Sequence, residues 1–224
     1  MSSAIITSAF TSLGIQAVTG LFETQGLFTN LRPEDLILKD ILSMELIVQV
    51  IEFIFYTYLV YMIVSGHVSK AITSQRYVDW TITTPVMLVS FILFFKYLKN
   101  PNKNIRIFQS IKEEKTNIIK VVIANALMLL CGFLAERSII PATLGIALGF
   151  IPFAYMFKII YADYAKDTDI AKILYYVSFI VWGLYGVAAA LPFNQKNTMY
   201  NILDLFSKNA YGLFLYFFIK FKST

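Results

Sequence analysis

Residues Asn197–Phe217 read NTMYNILDLFSKNAYGLFLYF, an apolar run interrupted near its middle by one acid and one lysine. Asp204 and Lys208 are four residues apart, so on a helix they share a face. The apolar character continues to Lys220, and a hydrocarbon core takes about 20 helical residues to cross. Charges at that depth are costly and are seldom kept without a role. The stretch therefore predicts a membrane-spanning helix that carries a cation and an anion into the interior of a bundle. A purely structural salt bridge is the bland alternative.

The rest of the chain agrees with this reading. Of 224 residues, 58% are hydrophobic and only 15% charged, with mean hydropathy +0.65, which leaves little charge to solvate a large surface. Six more apolar runs precede the one quoted: Ser3–Phe22, which is short, Leu36–Val64, Lys70–Tyr97, Ile118–Ala135, Ile139–Tyr164 and Ile170–Leu191. The seventh is Asn197–Lys220, and Glu23–Asp35 reads as a linker. The connections between runs four and five and between six and seven are very short, which forces antiparallel neighbours. The expectation is an all-α membrane protein, a seven-helix up-and-down bundle forming one domain over residues 1–224. The N-terminus lacks a basic leader pattern and reads as a retained first helix.

The loop KNPNKNIRIFQSIKEEKTN carries Lys99, Lys103, Arg106, Lys112 and Lys115, and Lys220 and Lys222 lie on the same side. Basic loops face the cytoplasm, so the N-terminus is expected outside and the C-terminus inside; the acidic first loop does not support this. The net charge of +5 fits a membrane surface, and no nucleic-acid partner is expected. The single cysteine, Cys131, lies in an apolar run and the single histidine, His67, in a connection, so neither a disulfide framework nor a metal site is expected. No nucleophile–base pair or phosphate loop suggests an enzyme. The bilayer is the expected partner, and a homo-oligomer would form through lipid-facing surfaces.

The third run reads QRYVDWTITTPVMLVSF. Arg76, Asp79 and Thr83 follow at spacings of three and four, so one face presents a cation, an anion and a hydroxyl. Pro85 removes a backbone donor and predicts a kink. Two acids, one arginine and one lysine would neutralise each other in a dry core. Such an arrangement suits a lysine carrying a retinal imine, whose buried positive charge needs carboxylates nearby. On this reading Asp79 accepts the proton after isomerisation and Arg76 keeps Asp79 ionised. The sixth run, FIVWGLYGVAAALPF, puts Trp182 and Tyr185 three apart, where they can line a flat pocket with Trp80 opposite; ordinary core packing is the alternative for each.

These residues resemble the microbial (type-1) rhodopsins. RYVDWTITTP (Arg76–Pro85) is similar to that family's third-helix motif R-Y-x-D-W-x-x-T-T-P, DLFSK (Asp204–Lys208) to D-x-x-x-K on its last helix, and Trp182–Tyr185 to W-x-x-Y on the sixth. The resemblance implies all-trans retinal on Lys208 with Asp79 and Asp204 as counterions. It also implies pocket positions at Thr84, Met87, Met128, Gly132 and Ser207, and a contact between Thr84 and Asn125. Departures stand beside it. Ser90 occupies the place, eleven residues after Asp79, where proton pumps of the family have a carboxylic donor. Gly186 and Ala189 replace a proline and a tryptophan, and Lys196 replaces a carboxylate of the release group.

A second polar track lies outside these motifs. In MELIVQVIEFIF, Glu45, Gln49 and Glu52 form one helix stripe; Ser12 and Gln16 form another on the first run, and Asn197, Asn201 and Asn209 lie on the seventh. Each could be an ordinary interhelical hydrogen bond. Together they would line an acid-rich seam if runs one, two and seven are neighbours. The pattern resembles channelrhodopsins, and the short chain and first helix resemble the first group of viral rhodopsins from giant viruses of algae, some of which conduct cations in light. The expectation is a light-gated cation channel. An outward proton pump and a sensory rhodopsin are the alternatives, and a non-retinal transporter is the reading that would make Lys208 dispensable.

Overall fold

The computed structural model describes residues 2–67, 71–101, 104 and 106–223, without the side chain of Ala71. Lys70, the expected start of the third run, and Lys103 of the basic loop lie outside them. All regular structure among the described residues is helical. Seven helical segments are long and apolar enough to cross a membrane: Ser3–Leu27, Pro33–Val64, Ile72–Lys99, Lys115–Glu136, Ala142–Ala165, Asp169–Ala189 and Phe193–Lys222, called spans one to seven below. Sequential spans pack side by side, and span one closes the ring against span seven.

Outward faces carry apolar side chains such as Leu21, Ile54, Ile180 and Phe217, as lipid contact requires. Inward faces hold the polar residues together with an apolar core built largely from Leu88, Ile92, Phe94 and Phe95 of span three. Span three runs unbroken through Pro85, since neighbouring helices can accommodate the lost donor.

Span one is not short. It continues five residues past the expected end at Phe22, to Leu27. Its buried residues, Ile5, Ala9, Ser12, Gln16, Thr19, Glu23 and Gly26, recur every three or four positions, so Glu23 stays on the inward face rather than opening a linker. Span five starts later than expected, because Pro141 stands at its N-cap and Ser138 turns the chain with φ 56°. Thr168 caps span six by accepting from the Ala171 amide. Within the basic loop, Ile107–Glu113 forms a short helix. Two π-helical turns interrupt the spans, Tyr161–Ala165 ending span five and Leu205–Asn209 in the middle of span seven.

Candidate functional site

The wide turn Leu205–Asn209 carries Lys208 into the centre of the bundle. Lys208 Nζ donates to Asp79 Oδ2 at 2.9 Å. It lies 3.3 Å from Glu52 Oε1 and 3.6 Å from Asp204 Oδ1. All four side chains are almost wholly buried, so two of these contacts come from spans two and three reaching the same lysine. Glu52, which the sequence assigns to an outer polar track, is therefore a third carboxyl at the central cation.

Arg76 does not sit on Asp79. Its Nη1 is 3.2 Å from Asp204 Oδ2, its Nε donates to Asn197 Oδ1 at 3.3 Å, and its Nη2 donates to Asn201 Oδ1. The expected support of Asp79 by Arg76 is thus corrected: Asp79 meets Lys208, and Arg76 holds Asp204. The guanidinium reaches past Asp79 because Phe55, Tyr56 and Tyr200 offer ring faces at 5.3, 5.7 and 5.7 Å. Asp204 also accepts from Tyr56 at 2.8 Å and Tyr185 at 2.7 Å. Three donors on one carboxylate fix it in place. Two cations thus face three acids in a volume with no access to bulk water.

A cavity opens from Lys208 between spans three to seven. Trp80, Thr84, Met87, Met128, Gly132, Trp182, Tyr185 and Ser207 line it, which brings together eight of the sequence-derived pocket positions. Thr83 does not line it: its hydroxyl donates to the Asp79 carbonyl at 2.9 Å on its own helix. Asn125 stands behind the wall and donates to Thr84 Oγ1 at 2.8 Å. Several lining residues carry no motif, among them Tyr77, Gly145, Gly149, Phe150 and Tyr200. The four-residue spacing of Gly145 and Gly149 was the available signal, since small residues at that interval let helices approach closely.

The glycines keep the space open. A Cβ at Gly132 would fall 2.7 Å from Tyr77 Oη, and one at Gly186 would fall 2.6 Å from the Phe150 ring. Phe150 thereby takes the room that a larger residue at Gly186 would need. The walls are apolar and aromatic, and the one basic group is Nζ at the end of the cavity. A long apolar polyene joined to Nζ fits this chemistry.

The second polar track assembles along spans one, two and seven. Ser12 Oγ donates to the Asn201 carbonyl at 2.9 Å, and Asn201 Nδ2 donates to Ser8 Oγ at 2.8 Å. Gln49 Nε2 donates to the Gln16 carbonyl at 3.0 Å and to Thr19 Oγ1 at 2.6 Å, while Asn209 Nδ2 reaches the same hydroxyl at 2.8 Å. Asn197 pairs with Thr73 and Arg76, which places it with the central network. Glu45 is buried against Ser90 and Tyr211. Glu23, which the sequence left in a linker, is buried against Gly212 on span seven. Both atoms of the Gln16 amide, both Glu23 oxygens, both Glu52 oxygens, Glu45 Oε1 and Asn209 Oδ1 are buried without a hydrogen-bond partner. Among the described residues, no cluster of three or more His, Cys, Asp or Glu could hold a metal ion.

With this geometry in hand, comparison with known proteins is informative. A family model described as bacteriorhodopsin-like protein matches residues 7–220. The chain is 20% identical over 161 residues to the green-light absorbing proteorhodopsin of Gamma-proteobacterium EBAC31A08, a match covering 64% of this chain and 60% of that protein. The crystal structure of viral rhodopsin OLPVRII superposes with a TM-score of 0.87 at 27% identity, covering 98% of this chain and 99% of the other. The structure of xanthorhodopsin, a light-driven ion pump with dual chromophore, gives a TM-score of 0.77 at 20% identity, covering 99% and 94%.

Proposed function

The chain belongs to the bacteriorhodopsin-like family of retinal proteins, and from that premise we propose that it is a light-gated cation channel whose path follows the seam between spans one, two and seven. Retinal bound at Lys208 supplies light absorption and a change of shape against the pocket wall. Asp79, 2.9 Å from Nζ, is the acceptor of the proton that Nζ gives up. Asp204 is pinned by Arg76, Tyr56 and Tyr185 and holds the field at the site constant.

The observation that carries the channel reading is the set of orphaned polar atoms in the seam. Each buried polar atom without a partner costs about 1–3 kcal/mol. Gln16, Glu23, Glu45, Glu52 and Asn209 all carry such atoms along one interface. Water entering the seam would satisfy them together, so hydration is favoured once the ends yield. In the resting state one end is closed by Ala9, Tyr56, Leu59 and Ile72. The other is closed where Leu42 and Tyr216 press on Gly26. An acid-lined path favours cations over anions. The basic loop and C-terminal lysines put the latter end in the cytoplasm, with the N-terminus outside. The likeness to the first group of viral rhodopsins belongs to this reading and rests on the second polar track alone, now that span one has its full length.

Patch-clamp recording under illumination tests the proposal. A passive current is expected whose reversal potential follows cation gradients and which Glu52→Gln reduces; a light response without such a current sinks the reading. An outward proton pump is the second reading. It is favoured by the pairing of Lys208 with Asp79 and of Arg76 with Asp204, and it predicts current that stays outward at every holding voltage.

A further inference from the structure

We propose that Glu45 of span two is the internal proton donor to Lys208 Nζ, with Glu23 of span one as the carboxyl that reloads it. The inference rests on retinal at Lys208 and holds for a channel or a pump. A proton passed from Nζ to Asp79 has to be replaced, and a donor must be a buried acid on the other side of Nζ from Asp79. Six acids are buried among the described residues: Glu23, Asp35, Glu45, Glu52, Asp79 and Asp204. Asp79, Glu52 and Asp204 surround Nζ itself. Asp35 is engaged by Tyr97 and Arg32 at the helix end. Glu45 and Glu23 remain.

Their placement suits the task. Glu45 precedes Glu52 by seven residues, about 10 Å along a helix, towards the end of the bundle that carries the basic loop. Its carboxyl faces Ser90 from span three and Tyr211 and Lys208 from span seven, and Glu23 from span one is its acidic neighbour. Ser90 donates to Tyr211 Oη at 3.2 Å, and Tyr211 lies one turn beyond Lys208. The place beside Ser90 that lacks an acid on span three is therefore occupied by an acid from span two. No cation forms an ion pair with Glu45 or Glu23, and an unpaired charge at that depth is costly. Both are placed to hold protons at rest. Gln49 and Asn209 lie between Glu45 and Nζ and offer polar groups to ordered water. In the step itself the O–H bond of Glu45 breaks and the N–H bond at Nζ forms. The Glu45 carboxylate then takes a proton through Glu23 from the cytoplasmic solution.

The first test needs no light and no retinal. The infrared spectrum of the retinal-free protein at neutral pH should contain protonated-carboxyl bands, of which Glu45→Gln removes one and Glu23→Gln another. A spectrum unchanged by Glu45→Gln overturns the proposal, because an ionised Glu45 has no proton to give. The second test is flash spectroscopy of the retinal-bound protein, whose colour reports correct folding. Loss of a positioned proton donor slows transfer by about 10²–10⁴-fold. Glu45→Gln should slow recovery by an amount in that range, and adding Ser90→Asp should restore it by returning a carboxyl to the same place from span three. Unaltered recovery in Glu45→Gln overturns the assignment, as does a coloured double variant that stays slow. Absence of a passive photocurrent would sink the channel reading and leave these comparisons standing.

Discussion

Two polar regions lie side by side in this bundle and are built on opposite terms. Around Arg76 and Asp204 nearly every donor has an acceptor: Tyr56, Tyr185, Asn197 and Asn201 close the network. Along spans one, two and seven, Gln16, Glu23, Glu45, Glu52 and Asn209 keep atoms unpaired. A satisfied network has one favoured arrangement. An unsatisfied one can gain from water, so it is the part able to exist in two states. Lys208 joins the two regions, with Asp79 and Asp204 on one side and Glu52 on the other.

Several substitutions break or sharpen that contrast. Lys208→Ala removes the joint itself: absorbance in the visible on adding retinal should vanish entirely, while the purified protein stays helical by circular dichroism. Arg76→Ala attacks the satisfied region. It leaves Asp204 buried without its cation, which costs about 3–5 kcal/mol, and thermal unfolding should register the loss. An unchanged melting temperature would show that the network is not the rigid element. Gly212→Ala attacks the unsatisfied region, since a Cβ there runs into the Glu23 carboxyl. Overpacking of this kind costs about 1–3 kcal/mol, and here movement of Glu23 into the seam should reduce the penalty. A measured loss below that of Arg76→Ala is expected, together with altered photocurrent.

The smallest effect lies outside both regions. Burial works against a charge on Glu114, but hydrogen bonds from Lys96 at 2.8 Å and Tyr164 at 2.6 Å outweigh it and hold its carboxyl below the usual range. A depressed carboxyl contributes stability above its unfolded pKa and loses it as the pH falls through the folded value. Acid titration of the melting temperature should therefore show a small decline that Glu114→Gln abolishes. The pair is partly exposed, so the effect is about 1 kcal/mol or less.

The spans and the central lysine were legible in the sequence because both follow from patterns local to one helix. Apolar length marks a span, and a four-residue interval puts Asp204 beside Lys208. What escaped depends on how helices rotate against each other. Arg76 lies three residues from Asp79, yet its ion partner is on span seven. Glu52 sits in one stripe with Glu45, and only the approach of spans two and seven divides their roles. Glu23 follows a run whose hydropathy is fading and so reads as a loop; its interval of four from Thr19 keeps it on the buried face. Thr83 and Thr84 are neighbours in a motif, and a single residue's rotation sends one hydroxyl back to its own helix and the other to Asn125.

The wide turn Leu205–Asn209 has one more consequence. Three successive residues, Ser207, Lys208 and Asn209, are all buried. In a regular helix three such residues sweep about 200° of arc and would not all avoid lipid. The surplus residue acts as a phase shift between two rulers laid end to end. The half before it is in register with the aromatic pocket, and the half after it is in register with spans one and two. A single-residue deletion there would bring both rulers into one phase, and the helix could then address only one of its two neighbourhoods.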